Sequence, residues 1–236
     1  IWNNKNPFKG INEMVIPQLK LDGQVKPPED MPKDFATLVR GLIVSDPKKR
    51  WGYDEVQRYL NGEKVEVFDE IIKLDYDTFV FDAEENLFAK TPSDLARLMK
   101  DDPQTAKRYL YAGKIDEWLR KAKNTKLELT ITEIYEKLFP KNQDAGLTAA
   151  LYALDKEMPY TDIDGNDCDD VPQFVDAFLN HFEEYSEKLS NKNDSFYLYL
   201  HSRDNSALAE KFYSFFKKEK EKSTALLRVI YELAPS

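Results

Sequence analysis

The residues in this sequence best equipped for chemistry are two histidines, one cysteine and an acidic run, and their spacing decides what each can do. Asp162, Asp164, Asn166 and Asp167 have the look of a calcium loop, but an EF-hand loop needs Gly at its sixth position and Glu at its twelfth. Counted from Asp162, those places hold Asp167 and Gln173, so a solvated acidic turn is expected. His181 and His201 lie near aromatic residues on helical segments, each without a second ligand at helical spacing. They read as hydrogen-bonded or surface histidines, and two histidines cannot build a His-rich metal centre. Cys168 stands among Asp167, Asp169 and Asp170 with no local His or basic neighbour. Those charges oppose the thiolate, so an inert thiol is expected. No Gly-rich phosphate cradle occurs, with or without a lysine. Phe196, Tyr197, Tyr199, Phe212, Tyr213, Phe215 and Phe216 could line a peptide groove, but their helical spacing favours a packed core. Lys217, Lys218, Lys220 and Lys222 alternate with Glu219 and Glu221 as a solvated connection does. No catalytic, cofactor-binding or metal-binding residue is assigned in this chain.

The elements that would position such groups come next. A chain of 236 residues makes one or two domains, and 42% hydrophobic with 13% aromatic residues is enough to bury a core. Eight glycines fall well below the ordinary ~7% and disfavour a turn-rich all-β fold. One cysteine excludes an internal disulfide and multi-Cys zinc sites, and fits a reducing, cytoplasmic compartment. No apolar run approaches the ~20 residues of a membrane span, and no signal-peptide pattern opens the chain. A net charge of −9 argues against nucleic acid as partner. That charge is uneven: residues 1–65 carry 11 Lys/Arg against 9 Asp/Glu, and the remainder 23 against 34. A boundary near Lys64–Glu70 is therefore expected. The chain opens at Ile1, within a patterned segment and without an initiator Met, as a piece of a longer protein would.

The first segment is helical with Pro-rich loops. Asn6-Pro7-Phe8 breaks whatever precedes it, and Gly23 with the run from Lys26 to Pro32 marks a long loop. A helix follows, with Pro32 near its start, Asp34 in the first turn, and Phe35, Leu38, Val39, Leu42 and Ile43 at helical spacing. Asp46-Pro47 ends it. A second short helix carries Val56, Tyr59 and Leu60 on one face and stops at Asn61-Gly62.

The order Asn6-Pro7-Phe8, a proline loop, the helix from Phe35 to Val44, then Ser45-Asp46-Pro47-Lys48-Lys49-Arg50-Trp51 and Tyr53-Asp54-Glu55-Val56 resembles the end of a eukaryotic-type Ser/Thr protein kinase C-lobe. It is similar to the stretch from the close of that family's helix F through helices G and H to helix I. On this resemblance Asp46 and Arg50 are structural residues matching Asp-Pro-x-x-Arg, whose arginine pairs with the Glu of an upstream Ala-Pro-Glu motif. A guanidinium suits that task, being planar, bidentate and always charged. Asn4 stands where the family often has Gly. The match covers about a quarter of the chain. The Gly-rich loop, strand lysine, catalytic-loop Asp with its Asn, and metal-binding Asp of a kinase are all missing from these residues. ATP and Mg are thus expected only in a parent kinase and no cofactor in this piece. Arg50, lacking its family partner, should face solvent or take a local one.

The second segment reads as helical and internally repeated. Thr78-Phe79-Val80-Phe81, a polar turn, then Leu87-Phe88-Ala89 predict a hairpin. Thr91 is a natural N-cap with Pro92 at the first helical position. Further stripes follow through Ala106, Tyr109 and Leu110, through Ile115, Trp118 and Leu119, from Leu127 to Leu138, and from Ala145 to Leu154. The pattern recurs about 80 residues on. Pro92 answers to Pro172 and Leu95 to Val175. Ile115, Trp118 and Leu119 answer to Phe196, Tyr199 and Leu200. Leu127, Ile131, Ile134 and Tyr135 answer to Leu208, Phe212, Phe215 and Phe216, and Leu147, Leu151, Tyr152 and Leu154 to Leu226, Ile230, Tyr231 and Leu233. Trp118 and Tyr199 should be buried alike, and so should Tyr152 and Tyr231. Thr91-Pro92-Ser93-Asp94-Leu95-Ala96 with the run Tyr109 to Leu119 resembles helical repeats appended to bacterial kinases of eukaryotic type.

The expected fold is mainly α-helical with one or two short β-hairpins. Its parts would be 1–63, the end of a kinase C-lobe; 64–160, a first helical repeat with its leading hairpin; and 161–236, a second. The resemblance implies a non-catalytic C-terminal piece of a Ser/Thr-type kinase whose helical region regulates or docks a protein or peptide, a basic one if the acidic charge is used. The alternative is a helical scaffold attached to a pseudokinase.

Overall fold

The computed structural model describes Ile16 and residues 25–28, 30–68 and 74–234. The readings at Asn4, Asn6-Pro7-Phe8 and Gly23 lie outside the described residues. The fold is mainly helical with two short antiparallel hairpins. It divides into two compact units, Ile1–Asp75 with Leu119–Glu128, and Tyr76–Trp118 with Leu129–Ser236.

In the first unit, helix α1 (Lys33–Ile43) begins after Pro32, whose ring fixes φ near its helical value, with Asp34 in the first turn and Arg40 in the last. Helix α2 (Tyr53–Leu60) is entered through Gly52, whose N–H donates to the Glu55 carboxylate at 2.9 Å. It ends at Asn61, followed by Gly62 at φ 85°, a left-handed turn glycine takes without steric cost. Trp51, 4% exposed, joins the two helices. Its backbone N–H donates to Gly41 at 2.9 Å, its indole N–H to the Glu66 carbonyl at 2.8 Å, and its ring lies 5.1 Å from that of Tyr59. The Trp51 ring fills the space that a side chain at residue 41 would need, which is why Gly41 is buried there. The apolar stripes are less covered than their spacing suggests: Phe35, Leu42 and Leu60 are exposed. Periodicity fixes which residues share a face, not what lies over it.

The second unit holds one element order twice. Strands β1 (Phe79–Asp82) and β2 (Leu87–Ala89) form the first hairpin, and β3 (Tyr160–Thr161) and β4 (Asp167–Cys168) the second. After the first come α3 (Pro92–Asp101), α4 (Pro103–Tyr111), α5 (Lys114–Lys121), α6 (Thr125–Glu133), a π turn (Ile134–Leu138) and α7 (Gln143–Leu154). After the second come α8 (Val171–Asn180), α9 (Phe182–Lys188), α10 (Ser195–Ser202), α11 (Ser206–Lys218) and α12 (Lys222–Leu233). Residues 119–128, the end of α5 and the start of α6, group with the first unit.

Local geometry repeats with the order. Thr91 and Asp94 form a capping box on α3, and Asp170 and Gln173 form one on α8. These caps set the offset there at 79 residues, so Leu95 corresponds to buried Phe174 and not to Val175. The proline pairing expected from sequence is displaced by one position, because proline is accepted at either of the first two helical positions. Lys123 and Asp204 both adopt φ 58°, and the N–H groups of Asn124 and Asn205 close the same turn onto Leu119 and Leu200, each at 2.9 Å.

Packing also repeats. Helix α7 packs against α3, α4 and the π turn; α12 packs against their counterparts α8, α9 and α11. Between the copies, α7 packs against α10. Covered on both sides, α7 is apolar nearly all round, with Ala145, Gly146, Leu147, Ala150, Tyr152 and Leu154 buried. Of the aromatic group read as core, Phe196, Tyr197, Tyr199 and Phe212 are buried while Tyr213, Phe215 and Phe216 are half-buried, and Phe178 meets Phe196 edge-to-face at 5.0 Å. The expectation for Tyr231 is corrected. Trp118, Tyr199 and Tyr152 are buried, but Tyr231 is 63% exposed.

Candidate docking surface

Helix α12 is amphipathic because three helices cover only one side of it. Ala225, Leu226 and Val229 are buried toward that side. Leu227 and Tyr231, four residues apart, stand together on the opposite face, 53% and 63% exposed. Charged residues flank them and tie the helix down: Arg228 pairs with Glu219 at 2.9 Å, and Glu232 pairs with Lys211. The outer face is thus an apolar strip whose neighbouring charges are already engaged within the chain. Such a strip can take up an apolar helix side chain without stripping water from an unpaired ion.

The groups singled out for chemistry are engaged structurally. The Asp162 carboxylate accepts from the Asn166 backbone at 2.7 Å and from the Asn166 amide at 3.1 Å. Asp167 accepts from Thr161 at 3.1 Å and pairs with Lys100 at 2.8 Å, which holds its carboxyl below the usual range. Gly165 turns the hairpin at φ 85°. Among the described residues no group of three or more His, Cys, Asp or Glu could hold a metal ion. Cys168 is buried, and burial followed by the surrounding aspartates pushes its thiol pKa up, as its sequence neighbours suggested. His201 faces the Ser206 hydroxyl at 3.0 Å. Asp194, which the sequence reading passed over, is a buried carboxylate that caps α10 by accepting from the Phe196 N–H at 2.9 Å. Burial raises its pKa. An acidic residue just before an aromatic helix was the available signal.

His181 takes one partner at helical spacing, Glu184, and one across the hairpin turn, Asp164, and the sequence reading named neither. Its Nε2 lies 2.7 Å from Asp164 in the second hairpin turn and its Nδ1 3.0 Å from Glu184. The Asp164 hydrogen bond is the main reason its pKa is raised. Protonated His181 therefore clamps the turn to the start of α9. A raised folded pKa gives stability that is fully present below the unfolded histidine value of about 6.5 and lost as pH rises through the folded pKa. His181→Gln should lower the thermal midpoint at pH 5.5, and the difference from the parent chain should shrink steadily toward pH 8.5 in matched melts.

The two residues carried by the kinase resemblance sit in the turn after α1. Asp46 accepts from the Lys48 N–H at 2.9 Å, and its carbonyl accepts from the Arg50 N–H at 3.0 Å. Arg50 is exposed, and its guanidinium donates to the carbonyls of Val44 at 2.7 Å and Ser45 at 3.0 Å. These backbone carbonyls meet its donors while the exposed side chain keeps its charge in water.

The fold and surface define a mainly α-helical protein with short β-hairpins and a duplicated helical element order. Among the described residues no helix is long and apolar enough to cross a membrane. No protein-family model, no curated protein and no solved structure matches the chain.

Proposed function

We propose that this chain is a C-terminal part of a Ser/Thr-type protein kinase, non-catalytic by itself, whose helical region docks a protein partner. The observation that carries the kinase part is the motif order in residues 1–62, from Asn6-Pro7-Phe8 through Asp46-Pro47 and Arg50 to the Tyr53-Asp54-Glu55-Val56 helix. The docking part is supported by the apolar strip of Leu227 and Tyr231. The net charge of residues 66–236 favours a basic partner, since complementary charge speeds association and makes it salt-sensitive. A cytoplasmic setting belongs to the same reading.

ATP and Mg would be held by the parent kinase upstream. In a titration calorimeter the isolated chain should give no saturable heat with ATP and Mg at micromolar concentrations, because every phosphate-binding motif lies elsewhere. Reading the gene upstream of Ile1 for a catalytic-loop Asp and a metal-binding Asp tests the kinase assignment. Deleting everything after Gly62 from the parent tests docking. A truncated kinase that remains soluble but phosphorylates its protein substrate more slowly, while retaining its rate on a short peptide, is the expected result. An unchanged rate on both sinks the docking role.

A further inference from the structure

In the second unit the tyrosines of the segments flanking each copy form a series, and Tyr231 in that series is exposed. In the first copy the third helix, α5, presents Trp118, and Tyr76 from the segment before the hairpin lies over it, ring to ring at 5.0 Å. In the second copy the third helix, α10, presents Tyr199, and Tyr152 from α7 meets it edge-on at 5.6 Å. Each third-helix aromatic is thus met by a tyrosine from the segment preceding its copy. At an offset of 79 residues Tyr152 corresponds to Tyr231, Thr148 to Leu227 and Ala149 to Arg228. The face of α7 formed by Thr148, Ala149 and Tyr152 is covered or half-covered; the corresponding face of α12 is exposed at Leu227, Arg228 and Tyr231.

We infer that the α12 face around Leu227 and Tyr231 receives an amphipathic helix of a partner protein that carries an aromatic residue at the centre of its apolar side, seated as α10 is seated on α7. This deepens the docking reading above and rests on it. The occupant is set by the duplicated packing: the inner faces of α7 and α12 meet corresponding sets of three helices, and the added neighbour of α7 is an aromatic helix. A second copy of this chain is a poor occupant. Its Trp118 and Tyr199 are already covered by its own tyrosines, so neither third helix is free to be seated there again.

The test uses the whole chain and a fluorescein-labelled, hydrocarbon-stapled peptide with the sequence of residues 193–205, followed by fluorescence anisotropy. Saturable binding is expected. Leu227→Glu and Tyr231→Glu in the chain should each weaken it at least tenfold, and so should Tyr199→Ala in the peptide. Both chain variants alter exposed positions, and unchanged thermal melts will establish that they fold. Absence of saturable binding up to millimolar peptide, or binding indifferent to these changes, overturns the inference. Sedimentation velocity showing that the chain dimerises through Leu227 and Tyr231 also overturns it, by giving the face to a second copy. If peptide binding fails while deletion after Gly62 still slows substrate phosphorylation, docking occurs elsewhere and only this assignment falls.

Discussion

Tyr152→Ala should cost about 3–5 kcal/mol of unfolding free energy, as large aromatic truncations in cores do, while Tyr231→Ala should stay within about 0.5 kcal/mol. The two tyrosines hold corresponding places on α7 and α12, so the comparison keeps chemistry and helix position fixed and varies only what lies outside. Tyr152 is 6% exposed, with its ring edge-on to Tyr199, and the Arg203 guanidinium stacks on that Tyr199 ring at 4.9 Å. Its removal leaves a cavity between two helices that are held by other contacts and cannot close on it. Tyr231 leaves only solvent behind. Urea unfolding of both variants beside the parent chain measures the difference. Equal losses at the two positions would mean that α12 is covered in solution.

A second large effect is expected at Gly146. In an exposed helix interior, Gly→Ala gains close to 1 kcal/mol. Here the added methyl would overlap the Tyr111 hydroxyl and lie 3.3 Å from the Phe139 Cβ. Tyr111 cannot move away freely, because its hydroxyl donates to the Phe139 carbonyl at 2.6 Å. Gly146→Ala should therefore destabilise by about 1–3 kcal/mol, the usual cost of overpacking. In a Tyr111→Phe background the penalty should shrink, since the nearest ring atom is then Cζ at 3.2 Å. The corresponding position of the second copy is Ala225, which is fully buried. Ala225→Gly should therefore destabilise as well, by about 1 kcal/mol, through lost helix propensity and a lost buried methyl. Glycine is required at one position and unfavourable at its counterpart.

Local rules were readable from the sequence wherever one short segment contains all the participants. Thr91 caps α3, Gly62 takes its left-handed turn, and Asp162 to Gly165 lie at the second hairpin turn, because each depends on side chains within about five residues. Mainly helical architecture followed from 3.6-residue periodicity and few glycines. The recurrence near 80 residues was visible because buried faces impose the same spacing on both copies. Its register drifted by one residue at α8, since proline marks a helix start less sharply than the cap residue whose side chain accepts the first free N–H groups.

The sequence by itself determined the helices and the hairpins, because backbone preference and capping act over a few residues. Only the tertiary structure decided which side of each amphipathic helix is covered once or twice. Tyr152 and Tyr231 have the same periodic setting, yet one is enclosed by α10 and the other meets solvent. His181 found Asp164 seventeen residues away across a turn. Gly41 owes its identity to Trp51, ten positions on, whose ring occupies the space a Cβ would take. Each of these outcomes depends on where a distant segment arrives in space, and helical periodicity carries no term for that.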